Sequence, residues 1–236
     1  PRRVTADAAP AAVGDEPVLH ARRTGCPVVA GPDRVAAAET LLEAGGVDVV
    51  LADDGLQHYR LGRRFEIAVV DGVRGMGNGL CLPAGPLREP PARLQTVDAI
   101  VVNGGDWGHG GVFRGYAVVT RVYHLGDGRE RTLDSFRTTT VHAVAGIGNP
   151  QRFFDLLGEA GVDVIPHPLP DHADVGVAEL TFDEPGPVLI TEKDAVKCAG
   201  LGLADVWCVV VDLEFDADST ARLMRLVLGA LEMRVL

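Results

Sequence analysis

Lysine is almost absent from these 236 residues: against twenty arginines there are two lysines, Lys193 and Lys197. Both fall in one short stretch, Thr191-Glu192-Lys193-Asp194-Ala195-Val196-Lys197-Cys198. That clustering favours a specific role for at least one of them, because an ammonium is a compact point charge suited to phosphate. Cysteine is scarce as well. Cys26, Cys81, Cys198 and Cys208 form no CxxC pair. In a chain of α/β pattern this fits free thiols in a reducing cytosol rather than a disulfide framework or a zinc site. No apolar run approaches the ~20 residues that span a bilayer. The opening residues do not follow a secretory signal pattern. Acid outweighs base, for a net charge of -11. That argues against a general nucleic-acid binder and leaves room for local basic patches that take an anionic substrate. There is no internal repeat and no low-complexity segment. Pro1 rather than Met opens the sequence, so a piece of a longer protein is expected.

What is present reads as α/β. A hydrophobic content of 47% suffices for a core, and the length allows one large domain or two small ones. Short apolar runs at 27–30, 47–52, 67–71, 99–103, 141–145, 188–191 and 206–211 alternate with helical stretches. This implies parallel βαβ units. Asp33 is placed to cap a helix over 34–44, which Gly45 and Gly46 end. Asn149 as a cap before Pro150 starts a helix over 151–160, and Gly161 stops it. Asp218 or Ser219 caps a last helix running to about Arg234, with Leu223, Val227 and Leu231 along its core face. The region 104–140 differs. Glycine pairs flank Trp107 and His109, and 112–125 is rich in Val, Tyr and Arg, as in antiparallel strands, a linker or a hairpin. The division expected is 1–111, a linker hairpin at 112–140, and a C-terminal α/β domain at 141–236.

Six stretches bear on the chemistry. The run 47–52 reads as a buried parallel strand that ends in Asp53-Asp54-Gly55. Ligands gather at the carboxyl ends of such strands, and paired carboxylates there suit a divalent metal beside a phosphate. A polar turn is the competing reading. Gly14-Asp15-Glu16-Pro17 opens a helix; Asp15 is either its cap or a carboxylate able to act as a general base. The Pro/Gly-rich loop 82–90 can hold Arg88 and Glu89 in a fixed pose. The preceding Arg74-Gly75-Met76-Gly77-Asn78-Gly79 reads as a flexible loop; no Lys-Ser/Thr follows, so it is not a phosphate cradle. Gly146-Ile147-Gly148-Asn149-Pro150 is a strand-to-helix turn able to face an anion, with a short likeness to the GxGNP of peptidyl-tRNA hydrolases. Of the two histidines in His167-Pro168-Leu169-Pro170-Asp171-His172, His172 reads as a proton-handling or substrate-contacting imidazole. No third ligand is spaced to make them a metal site.

Together, and in order along nearly the whole chain, these motifs resemble the tetraacyldisaccharide 4'-kinases, the lipid A kinases of Gram-negative bacteria. The resemblance implies a P-loop-kinase-like parallel sheet core, N-terminally truncated here, and a smaller C-terminal α/β domain on a two-stranded linker. It implies transfer of the γ-phosphate of ATP, with Mg²⁺, to the 4'-hydroxyl of a tetraacylated disaccharide 1-phosphate. The place implied is the cytosolic face of the inner membrane, with peripheral contact through an N-terminal part. Carried over by motif, Asp15 is the base paired with His172. Asp53 and Asp54 are the nucleotide and metal acids. Gln57 and Glu89 join the metal shell, and Glu16, Arg34, His58 and Arg88 contact substrate. Lys193 is a nucleotide or phosphate contact by its chemistry alone. The family's GGxGKT-type loop is expected upstream of Asp15, and this sequence contains no Gly-Lys-Ser/Thr. The alternative readings are a degenerate kinase that holds a lipid or protein partner, and a P-loop kinase of another acceptor.

Overall fold

The computed structural model describes residues 1–108, 110–198 and 200–232. His109 and a helix end near Arg234 therefore lie outside the described residues. In chain order the elements are β1 (Arg2–Val4), α1 (Pro10–Val13), α2 (Asp15–Thr24), β2 (Val28–Ala30), α3 (Arg34–Glu43), β3 (Ile67–Asp71), β4 (Ala99–Asn103) and β5 (Phe113–His124). Then follow β6 (Glu130–Arg131), β7 (Thr140–Ala145), α4 (Pro150–Glu159), β8 (Asp163–Pro168), β9 (Val188–Thr191), α5 (Glu192–Ala195), β10 (Val206–Phe215) and α6 (Ala217–Glu232). The chain forms two compact units, one of residues 1–52 with 119–212, the other of 53–118 with 213–236. They interleave in sequence, whereas the expected division is into consecutive domains. The chain passes from one unit to the other within β5 and again within β10.

The first unit holds a parallel sheet in the order β10–β9–β7–β8. Buried apolar residues fill it: Val141, Ala143, Leu189, Trp207 and Val209 pack with Phe136, Phe153 and Leu157. β8 is its outer strand and carries Pro166 and Pro168. A proline lacks the N–H that an interior strand must donate, so an edge is where this sequence can sit. Behind β1 and β2, which pair antiparallel, α2 buries Val18 and Ala21 against Val4 and Val196.

In the second unit β3 pairs parallel with β4, and β4 with the start of β5. β4 is buried along four of its five residues, as its unbroken apolar run demands. Val70, Ile100 and Val102 form one core; Ala99, Val101 and Phe113, with half-buried Leu223 of α6, form another. At the carboxyl ends of β3 and β4 the backbone closes tightly. A Cβ on Gly72 would lie 1.7 Å from the carbonyl oxygen of Gly104. The Gly104-Gly105 pair is therefore a close backbone crossing in this unit.

Several local expectations are corrected. The run 47–52 is not a strand: it is irregular, and Leu51 is 89% exposed. An apolar strand holds only when neighbours complete its backbone hydrogen bonds, and no described strand pairs with it. Asn149 makes no side-chain cap bond, and Pro150 alone opens α4. The cap of α6 is Asp216, whose carboxylate accepts from the Ser219 amide at 2.8 Å, rather than Asp218 or Ser219. The glycine stretch 74–79 is a series of hydrogen-bonded turns rather than a free loop. Its bonds run from Gly75, Gly77 and Gly79 amides to Asp71, Arg74 and Met76 carbonyls, and Asn78 donates to the Ala84 carbonyl at 2.9 Å. Asp33 caps α3 as expected, accepting from the Val35 and Ala36 amides.

His167 has a structural place. His142 Nε2 faces the Glu184 carbonyl at 2.9 Å, so that nitrogen carries the proton, and His142 Nδ1 accepts from His167 Nε2 at 3.0 Å. Phe182 stacks on both rings. Burial, helped by the neighbouring His142, holds the His167 imidazole below its ordinary 6.5. Its folded form thus favours the neutral ring. The stability this gives is complete above 6.5 and drains away as pH falls toward the lowered folded value. The urea midpoint is expected to fall on acidification through that window, and His167→Leu to flatten the dependence. An equal pH dependence in the variant would count against this pair as its source.

Candidate active site

In the first unit the start of α2 meets the turn at 170–173 and the segment after β9. Gly14, at φ 95, is the N-cap of α2, so Asp15 is its first helical residue rather than its cap. A helix N-terminus favours the two carboxylates of Asp15 and Glu16. Asp15 is 12% exposed, and its Oδ2 lies 3.4 Å from His172 Nδ1 and 3.4 Å from Lys197 Nζ. His172 is 62% exposed and sits in the left-handed region at φ 59. Among the described residues Asp54, at φ 50, is the other non-glycine in that region. Side chains adopt it rarely, and it recurs where a site fixes the backbone.

The two lysines take up this place together. Lys193 Nζ lies 3.1 Å from Asp171 Oδ1, 3.2 Å from Glu16 Oε1 and 3.5 Å from His172 Nε2. An ammonium only donates, so His172 Nε2 accepts and Nδ1, the nitrogen facing Asp15, bears the proton. Burial works against ionisation of Asp171, but the Lys193 hydrogen bond and charge outweigh it and hold that carboxyl below its usual range. Burial opposes its charge too, but the hydrogen bonds and charges of Asp171 and Glu16 hold the Lys193 ammonium above its ordinary value. Lys197 donates to the Ala173 carbonyl at 2.9 Å and lies 3.2 Å from Asp194 Oδ1. Asp194 is fully buried at 0%; its Oδ2 accepts from Thr191 Oγ1 at 2.7 Å and from the Gly146 amide at 2.9 Å. Arg34 lies in this unit at the start of α3 and donates to the Gly31 carbonyl at 3.3 Å.

In the second unit Asp53 and Asp54 form an exposed turn. Gln57 Nε2 donates to Glu89 Oε1 at 2.6 Å, and the Tyr59 hydroxyl donates to Glu89 Oε2. The Tyr59 hydrogen bond, against burial and with help from Gln57 and Arg93, holds the Glu89 carboxyl below its usual range. Arg63 donates to the Gly55 and Leu56 carbonyls at 2.7 and 3.1 Å and pairs with Glu66 at 2.8 Å. It thereby fixes the turn that follows the aspartates. His58 is half-buried in that turn, and Arg88 is exposed beside Glu89. The structure brings together Asp15, Glu16, His172 and Lys193 in one unit, and Gln57 with Glu89 in the other. Among the described residues no group of three or more His, Cys, Asp and Glu is placed to hold a metal. Asp171 and Asp194 in the first unit, and Tyr59, Arg63 and Arg93 in the second, carry no role in the sequence reading, whereas Lys197 stands out there beside Lys193 by rarity alone. The signal available for Asp171 and Asp194 is their nearness to His172 and Lys193 in the sequence.

The sequence matches the profile of the Tetraacyldisaccharide-1-P 4'-kinase family over residues 1–229. The chain belongs to this family. Among similar proteins is the tetraacyldisaccharide 4'-kinase of Nitrosococcus oceani, 51% identical over 96% of this chain and 67% of the relative. The Alkalilimnicola ehrlichii enzyme of the same name is 53% identical over 94% of this chain and 67% of its own length. The chain thus spans about two thirds of the length of these relatives. Its fold resembles the crystal structure of LpxK from Aquifex aeolicus in complex with ATP. The TM-score is 0.70 at 26% identity, over 92% of this chain and 69% of that one. The α/β, P-loop-kinase-like class expected from sequence is therefore the class of the fold.

Proposed function

We propose that the full-length protein transfers the γ-phosphate of ATP to the 4'-hydroxyl of a tetraacyldisaccharide 1-phosphate, a step of lipid A biosynthesis, with Asp15 as general base. The observation that carries the base assignment is the approach of His172 Nδ1 to Asp15 Oδ2 at 3.4 Å, at the start of a helix. Such pairs are often long without substrate and tighten when it binds. As the sugar oxygen attacks, Asp15 takes its proton, and His172 orients the carboxylate through its Nδ1–H. Phosphoryl transfer needs little covalent chemistry from the protein, so positioning and charge decide the rate.

Glu16 and Arg34 in the first unit, and His58 and Arg88 in the second, are assigned to the acceptor. Lys193 is assigned to phosphate; in the structure it is held by carboxylates, which a phosphate would have to displace. Asp53, Asp54, Gln57 and Glu89 supply hard oxygen donors, and Glu89 is held ionised, so this set fits Mg²⁺. Magnesium usually binds through one or two carboxylates plus water and phosphate, and does not need three acids in one cluster. When bound, it would neutralise charge on the transferring phosphate. The proposed location is the cytosolic face of the inner membrane, held peripherally. No described helix is long and apolar enough to cross a membrane.

The test is a transfer assay on the full-length protein with labelled ATP, Mg²⁺ and tetraacyldisaccharide 1-phosphate. One phosphate gained at the 4'-position, located by fragmentation in a mass spectrometer, is expected. Hydrolysis of ATP with no phosphorylated sugar, or phosphate at another hydroxyl, overturns the reading.

A further inference from the structure

Lys197 has a complete set of partners. Its three N–H groups face three oxygens: the Ala173 carbonyl at 2.9 Å, Asp194 Oδ1 at 3.2 Å and Asp15 Oδ2 at 3.4 Å. At 9% exposure it has little access to water. Its counter-charge Asp194 is fixed in turn by Thr191 and by the backbone of Gly146, at the end of β7. A Cβ at position 146 would meet Asp194 Oδ1 at 2.9 Å, so glycine there is what lets the turn close on the carboxylate. A connected path therefore runs from the buried sheet ends, through Asp194 and Lys197, to the carboxylate of Asp15 and to Ala173 beside His172. An uncompensated ammonium at such a site would be unfavourable, and Asp194 removes that penalty.

We propose that Lys197 is a positioning residue for Asp15, and that Asp194 is the buried anchor which sets Lys197. The inference rests on the assignment of Asp15 as base. Lys197 acts twice. It aims the Asp15 carboxylate toward the hydroxyl, and it ties the His172 turn to the same point through the Ala173 carbonyl. The charged and titratable groups around Asp15 are His172 and Lys197 in direct approach, with Glu16, Asp171, Lys193 and Asp194 behind them. The Gly146-Ile147-Gly148-Asn149-Pro150 turn thereby has a use beyond starting a helix: its first amide holds the anchor.

The experiment compares K197M, K197R, D194N and D15A in the full-length enzyme, reading kcat, KM for ATP and thermal unfolding. A misplacement of a reacting group by about an ångström is worth roughly 100-fold in rate. K197M is expected to lose roughly 10- to 100-fold in kcat with KM for ATP nearly unchanged. K197R is expected to recover most of the rate. D194N keeps the shape of the anchor but not its charge, and is expected to lower kcat in the same way; it carries the test if K197M does not fold. A purely structural lysine would lower the melting temperature and leave kcat of the folded enzyme unchanged. K197M or a folded D194N with near-normal kcat, beside a D15A variant that has lost turnover, overturns the inference alone. Normal turnover in D15A overturns the base assignment beneath it.

Discussion

Replacing Asp15 by alanine in the full-length enzyme is expected to lower kcat by about 10²- to 10⁴-fold, the usual worth of a positioned general base. KM for ATP should change far less. The reason lies in where Asp15 sits. It opens α2, its carboxylate is largely shielded, and two donors, His172 and Lys197, converge on one of its oxygens. His172 and Lys197 belong to the same compact unit as Asp15, and Asp53 and Glu89 to the other. Steady-state kinetics with ATP and acceptor varied independently separate the two effects. A loss confined to KM for ATP would assign Asp15 to nucleotide binding instead.

The largest effect on stability is expected from Trp207→Ala. The indole is fully buried, sits edge-on to Phe136 at 5.4 Å, and donates from Nε1 to Asp205 at 2.7 Å. The guanidinium of Arg131 lies 4.7 Å from its ring centre and that of Arg129 5.1 Å. Removing a buried Trp typically costs about 3–5 kcal/mol, the transfer loss plus the cavity left behind. The consequence reaches the site, because Trp207 is opposite Leu189 in the β10–β9 ladder, and β9 delivers Thr191 and the lysine segment after it. Urea denaturation should show a lower midpoint with the slope kept. A change below about 1 kcal/mol would mean that the core closes over the void.

Much of this was legible because local patterns and tertiary demands agree. The runs at 67–71, 99–103 and 188–191 are apolar enough to be read as buried strands, and they are strands. Asp33 before α3 announced its cap. Elsewhere a local signal was outweighed. β8 was missed because Pro166 and Pro168 argue against a strand, and only an edge position reconciles them with one. The run 47–52 looked like a strand from its apolarity, yet pairing is a non-local property that sequence does not display. The site divides in the same way. Asp15, His172 and Lys193 stand out by motif or by rarity. Asp194 does not, since a buried aspartate is defined by partners such as Gly146, 48 positions away, rather than by its neighbours. Tyr59 was likewise invisible until folding placed its hydroxyl on Glu89.

The most direct measurement on the central claim is a double-mutant cycle on kcat over Asp15→Ala and His172→Ala. Groups that work as one unit lose their effect together. The double variant is therefore expected within a few-fold of D15A alone, with H172A costing little once the carboxylate is gone. If the two losses multiply instead, the residues act independently, and the acid–imidazole pair is not the base of this kinase.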